Sequence, residues 1–156
     1  MKVTDYMVTP PVTVPQHATI QQAAQTMEQY KVGCLLVVDG DTLAGIVTDR
    51  DLVVRALAPA MNPDTPVREL ISAPVTTLDA ADDVGTAYDT FRRSGARRLP
   101  VLEGHKPVGI LSVDDLFLDV LQRFADLLGP LSWTVLREPP APAGPHPHPV
   151  SIPVAP

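Results

Sequence analysis

Gly45-Ile46-Val47-Thr48-Asp49-Arg50-Asp51-Leu52 returns sixty-four residues later as Gly109-Ile110-Leu111-Ser112-Val113-Asp114-Asp115-Leu116. Each copy runs an apolar strand into a hydroxyl residue and, three positions on, into an aspartate in the first turn of a helix. Adding 64 also carries Ile20 to Val84, Ala23 to Ala87, Met27 to Phe91, Leu35 to Leu99, Val37 to Val101 and Gly40 to Gly104. Around Val12 and Val75 the register reads as slipped by one residue, then recovers. A repeat of this size with one half-exposed sheet face cannot bury that face alone and packs on its twin. The expectation is two halves sharing one pseudo-symmetric core.

Outward from the quoted stretch, the first copy begins with a short helical turn and an extended segment over residues 3–12, because Pro10-Pro11 forbids helix there. Val12-Thr13-Val14 reads as a brief strand. Ile20, Ala23, Ala24 and Met27 fall at i, i+3, i+4 and i+7 and predict a helix to Tyr30. Cys34 to Val38 and Leu43 to Val47 form a hairpin around Asp39-Gly40-Asp41. Thr48 opens a helix through Leu57, which Pro59 and Asn62-Pro63 end. The second copy runs from Val67 through a Pro74-Val75-Thr76 lead-in, a helix Val84 to Arg93, and strands Leu99 to Leu102 and Val108 to Leu111. Its last helix goes on through Phe117, Val120, Leu121, Phe124, Leu127 and Leu128 to Gly129-Pro130, and this apolar spacing at the module's edge points to a subunit contact. The chain thus divides into residues 1–63, 64–128 and a Pro-rich tail, 129–156, without regular structure.

A chain of 156 residues has room for one compact unit. Its formal net charge of -6 opposes general binding to polyanions, and three Tyr, three Phe and one Trp leave few rings for bases to stack on. Nucleic acid is therefore not an expected partner. The single cysteine, Cys34, makes no internal disulfide and no cysteine zinc cluster; it reads as a small buried apolar residue in a reducing compartment. No apolar run approaches the ~20 residues of a membrane span, and the start lacks a signal pattern, so a cytoplasmic location is expected. His17 and His105 fall in polar loops, and His146 and His148 read as tail composition rather than a metal site. With no Gly-rich phosphate loop, no H-E-x-x-H and no nucleophile beside a base, the chain does not read as an enzyme.

The tandem helix, strand, strand, helix order, with a Gly-hydrophobic-hydrophobic-Thr/Ser-x-x-Asp junction in each copy, resembles the CBS-domain family, here a single stand-alone bacterial CBS pair. Gly95-Ala96-Arg97-Arg98-Leu99-Pro100-Val101 is similar to the family's strand-opening signature. The resemblance covers roughly residues 3–125. It implies an α+β fold, with two small sheets packed about a pseudo-twofold axis, two clefts related by that axis, and a homodimer. It also implies a regulatory module that binds an adenine-containing molecule (AMP, ADP, ATP, S-adenosylmethionine or NAD), requires no cofactor, and acts on a partner protein.

A helix N-terminus favours a phosphate, and a carboxylate one turn in can accept from both ribose hydroxyls. By the resemblance, Asp51 and Asp115 are those carboxylates, and Thr48 and Ser112 hydrogen-bond phosphate or ribose. Val12, Thr13, Val75 and Thr76 would wall the adenine. Arg50 would meet phosphate charge in one cleft and Arg97 or Arg98 in the other, because Arg50 aligns with Asp114, and Arg97 and Arg98 with Gly33 and Cys34. The same Thr/Ser-x-x-Asp pattern is also a helix capping box with a short acid, and both roles can coexist. A scaffold module with empty clefts, binding a protein through its last helix, is the alternative.

Overall fold

The computed structural model describes residues 1–71 and 73–137. A 3-10 turn at Val3–Asp5 precedes β1 (Thr13–Pro15), α1 (Ile20–Tyr30), β2 (Cys34–Asp39), β3 (Thr42–Thr48) and α2 (Asp49–Asp51), which winds on as a π-helical segment, Leu52–Leu57. The second set is a 3-10 turn at Val67–Glu69, β4 (Leu78–Asp79), α3 (Val84–Ser94), β5 (Arg98–Glu103), β6 (Lys106–Ser112) and α4 (Val113–Arg137). Residues up to Asp119 form one compact unit, and those from Val120 belong to another.

Each set builds a three-stranded mixed sheet, β1-β2-β3 and β4-β5-β6, in which the short first strand runs parallel to the second and the hairpin is antiparallel. Val14 pairs with Val37 and Leu78 with Val101, so the offset stays at sixty-four and the register does not slip. The slip expected around Val12 and Val75 is absent. Burial decides the register: Val14 and Leu78 are the residues that enter the cores, and the strand forms around them.

The interior is two clusters rather than one shared core. Val14, Ile20, Ala23, Met27, Leu35, Val37 and Val47 make the first, and Leu78, Ala87, Phe91, Leu99, Val101 and Leu111 the second. Strand alternation sends Leu36 and Pro100 to the other sheet face, where both are also buried, and β3 of the first sheet lies against β6 of the second. An exchange of segments also joins the halves. Val3, in the turn that precedes the first repeat, is buried in the second cluster, and Val67 and Leu70, which precede the second repeat, are buried in the first. The exchange is symmetric in its hydrogen bonds, since Val3 N donates to Asp82 O at 3.0 Å and Val67 N to Ala18 O at 2.7 Å. Close approach of these segments requires glycine at the strand centres: a Cβ on Gly45 would lie 2.7 Å from Ile71 Cβ, and one on Gly109 would meet Met7 Sδ.

Helix ends follow local chemistry. Thr19 Oγ1 accepts from Gln22 N at 3.1 Å while Gln22 Oε1 accepts from Thr19 N at 2.9 Å, a complete capping box on α1. Asp83 Oδ1 accepts from Thr86 N at 2.7 Å on α3. Both helices close through a left-handed residue, Lys31 at φ 56° and Gly95 at φ 66°. α4 does not stop at Gly129-Pro130 and continues to Arg137. Proline removes one hydrogen bond and costs about 3 kcal/mol in a helix interior, and the helix formers Leu127, Leu128, Leu131, Leu136 and Arg137 flank it on both sides. The tail expected over residues 129–156 is helical to Arg137, and its remainder lies outside the described residues.

Candidate functional site

Both strand-to-helix junctions are closed capping boxes. Thr48 N and Oγ1 each donate to Asp51 Oδ2 at 2.9 Å, and Asp51 N donates to Thr48 Oγ1 at 3.2 Å. Ser112 N and Oγ donate to Asp115 Oδ2 at 3.3 and 2.6 Å, and Asp115 N donates to Ser112 Oγ at 3.1 Å. Aspartate therefore reaches the cap without the extra methylene of glutamate. The junctions differ in the second carboxylate oxygen: Asp51 Oδ1 lies 3.8 Å from Arg55, whereas the position equivalent to Arg55 is Asp119. Among the described residues no side chain is paired with Asp115 Oδ1. That oxygen can accept from an incoming hydroxyl.

Ser112 and Asp115 open onto a cleft of about 280 Å³ that Val8, Lys31, Val32, Gly33, Cys34, Arg98 and Ile110 complete. Both repeats contribute, because α1's left-handed end and the start of β2 face the second junction. Val8 is held there by a reciprocal backbone pair with Ile110, at 2.9 and 3.1 Å. Arg98 sits opposite Ser112 across the β5–β6 pair. The cleft thus offers two cations, a hydroxyl, a carboxylate oxygen and an apolar wall, in a chain whose formal net charge is -6. Burial pushes the Cys34 thiol up to about 11, Arg98 acting the other way and Asp49 and Asp51 adding to the rise, so Cys34 lines the cleft as a neutral group.

The other predicted residues distribute as follows. Thr48 and Asp51 build the first junction; Arg50 is exposed beside them, its N–H donating to Asp49 Oδ1 at 2.8 Å. Arg97 reaches Asp114 at 3.4 Å, an exposed pair that contributes little to stability but occupies the guanidinium. Val12 packs against the first core, and Thr13 lines a separate surface cleft with Pro10, Pro11, Asp41 and Lys106. Val75 is half-buried and Thr76 exposed, and neither lines the Ser112 cleft. Sequence reasoning does not single out Val8, Lys31, Val32, Gly33, Cys34 or Ile110 as cleft residues, because the pairing of Val8 with Ile110 and the approach of α1's end to the second junction are non-local. A groove of about 330 Å³ between α1 and the π-helical segment is larger, yet Gln21 is its only hydrogen-bonding side chain, which suits neither phosphate nor ribose. Among the described residues no group of three or more His, Cys, Asp or Glu side chains is placed to hold a metal ion, and no helix is long and apolar enough to cross a membrane.

The CBS domain family model matches residues 3–57 and 62–121. The CBS domain-containing protein YhcV of Bacillus subtilis is 35% identical over 114 residues, covering 73% of this chain and 81% of its own. Hypoxic response protein 1 of Mycobacterium tuberculosis is 33% identical over 105 residues, 66% of this chain and 73% of its own. A crystal structure of Hypoxic Response Protein I with two coordinated zinc ions superposes with a TM-score of 0.68 at 31% identity, covering 74% of this chain and 96% of that one. A CBS domain protein of Pyrobaculum aerophilum complexed with AMP superposes with a TM-score of 0.67 at 28% identity, covering 74% and 90%. Doubled junctions, paired mixed sheets and these matches agree: the chain belongs to the CBS domain family and carries two copies of the domain as one CBS pair.

Proposed function

We propose that this CBS pair is a non-catalytic regulatory sensor that takes an adenosine phosphate into the cleft between Ser112, Asp115, Arg98 and Lys31. The observation that carries the reading is the meeting of two cations with a capped helix start and an unpaired carboxylate oxygen in one cleft. Phosphate is drawn to Arg98, Lys31 and the N-terminus of α4, and ribose hydroxyls donate to Asp115. Ile110, Val32 and Val8 offer an apolar face to adenine. The AMP bound by the Pyrobaculum relative supports the ligand class. Two cations favour AMP, ADP, ATP or NAD over S-adenosylmethionine, whose sulfonium brings positive charge. The first junction, with Asp51 held by Arg55 and Arg50 exposed, is a second and weaker place for the same ligand class.

Because the cleft takes residues from both repeats, a bound nucleotide bridges them and favours one arrangement over others. That differential affinity is what a switch requires, and a cytoplasmic partner protein would read it. Mass spectrometry of small molecules released from the purified, denatured chain, followed by melting with AMP, ATP, S-adenosylmethionine and NAD, tests the reading. A saturable rise in melting temperature with the phosphate-bearing compounds is expected. No shift with any of them favours a scaffold module with empty clefts instead.

A further inference from the structure

The end of α1 carries a charged residue where its twin has glycine. Lys31 has φ 56° and ψ 40°, and its backbone N–H donates to Glu28 O and Met27 O. Sixty-four positions on, α3 closes at Gly95 with φ 66°. A side chain in the left-handed region carries a conformational cost that glycine avoids, and among the described residues Lys31 and Ala60 are the non-glycines found there. The bonds that close the helix are made by backbone alone, so they do not explain a lysine. Among the described residues the Lys31 ammonium and the Arg98 guanidinium enter no ion pair, whereas Arg97 meets Asp114, Arg55 meets Asp51 and Arg92 meets Asp89.

Burial grades along the same stretch. Lys31 is exposed, Val32 and Gly33 are half-buried and Cys34 is buried, and all four line the Ser112 cleft. The stretch therefore descends from the mouth of the cleft to its floor, with the cation at the mouth. Arg98 belongs to the other repeat and sits opposite Ser112 in the β5–β6 pair, so the two cations stand on different walls. A phosphate beside Ser112 is met by Arg98 and by the positive end of the α4 dipole. Asp114, the nearest acid on that helix, is offset by Arg97. Lys31 is then a positive charge in excess of what one phosphate uses.

We infer, on the nucleotide reading above, that Lys31 selects adenosine di- and triphosphates over the monophosphate by holding the phosphates beyond the first at the cleft mouth. With adenine against the apolar wall, a lengthening phosphate chain extends outward, toward Lys31. A lysine suits that place, since its flexible stem lets the ammonium follow a mobile chain of oxygens. Gly95 brings no such charge to the equivalent place in the first repeat.

Titration calorimetry of the full chain with AMP, ADP and ATP in magnesium-free buffer tests the inference. The wild-type chain binds ATP about tenfold more tightly than AMP, the size of one charge-assisted hydrogen bond. Lys31→Gly costs ATP about tenfold more than it costs AMP, leaving the two within about twofold, and its ligand-free form melts no lower than wild type because glycine suits this backbone. Lys31→Arg keeps the preference. Equal wild-type affinities for ATP and AMP, or a Lys31→Gly chain that still prefers ATP tenfold, overturn the assignment of Lys31 and leave the sensor reading standing. A wild-type chain that binds none of the three overturns both.

Discussion

Asp115→Asn separates the two jobs of the second junction. In the structure Asp115 Oδ2 accepts from Ser112 N and Oγ, at 3.3 and 2.6 Å, while Oδ1 is the oxygen offered to a ligand. Asparagine keeps one carbonyl oxygen for the cap and presents an amide donor in place of the second. A hydrogen bond to a charged group contributes about 1.5–3 kcal/mol. Losing about 2 kcal/mol of ribose recognition weakens AMP binding roughly thirty-fold, at 1.4 kcal/mol per tenfold. The cap survives, so ligand-free stability stays within about 0.5 kcal/mol of wild type. Ser112→Ala does the converse: it removes the cap hydroxyl, costs about 1 kcal/mol, and lowers the melting temperature by roughly 3–5 °C. Titration calorimetry with AMP and scanning calorimetry without it read the two effects separately. If Asp115→Asn bound AMP within twofold of wild type, the carboxylate would be a cap and nothing more.

Three further outcomes follow from the packing and the titrating groups. Gly45→Ala places a Cβ 2.7 Å from the branched Ile71 Cβ, while Gly109→Ala presses mainly on the flexible Met7 thioether and sits 3.1 Å from Val8 O. Overpacking of this kind costs about 1–3 kcal/mol, so both variants unfold at lower urea, and Gly45→Ala gives the larger drop because a branched Cβ cannot swing aside. The Thr86 N–H holds the Asp83 carboxyl below its ordinary 3.8. A depressed carboxylate stabilises the fold above its ordinary value and loses that effect as pH falls through the folded one. Asp83→Ala therefore melts earlier than wild type at pH 7, and the gap closes well below pH 3.8; a gap unchanged in acid would show that the cap works without its charge. Cys34, at about 11, stays a thiol at pH 8, so it reacts slowly with a disulfide reagent in the native chain and at the full rate in denaturant. Fast native labelling would contradict its burial.

Local chemistry made most of the elements readable in advance. The i, i+3, i+4 spacing from Ile20 predicts α1 over Ile20–Tyr30, and the structure has the same limits, with Thr19 and Gln22 capping its start. The Asp39-Gly40 and Gly104 turns fix both hairpins. What the sequence hid was non-local. Nothing in the order of residues tells that Val3 belongs to the second core and Val67 to the first, because the exchange is decided by where each sheet lacks a cover. The same exchange brings Val8 to Ile110 and turns the end of α1 toward Ser112, which is why Lys31, Val32 and Gly33 join the cleft from the other repeat. Ser112, Asp115 and Arg98 were legible because a repeated junction and a strand-pair register bring them together locally. Val12, Thr13, Val75 and Thr76 are expected as entry-strand walls of the adenine; Val12 packs against the first core, Thr13 lines a different cleft, and none of the four lines the Ser112 cleft.

Titration calorimetry of the ligand-free wild-type chain with AMP tests the sensor reading most directly. The account predicts saturable binding that fills one strong site per chain, with S-adenosylmethionine weaker than AMP because the cations Arg98 and Lys31 line the cleft. A flat titration with AMP, ATP and NAD alike, on protein shown to carry no ligand, would contradict it.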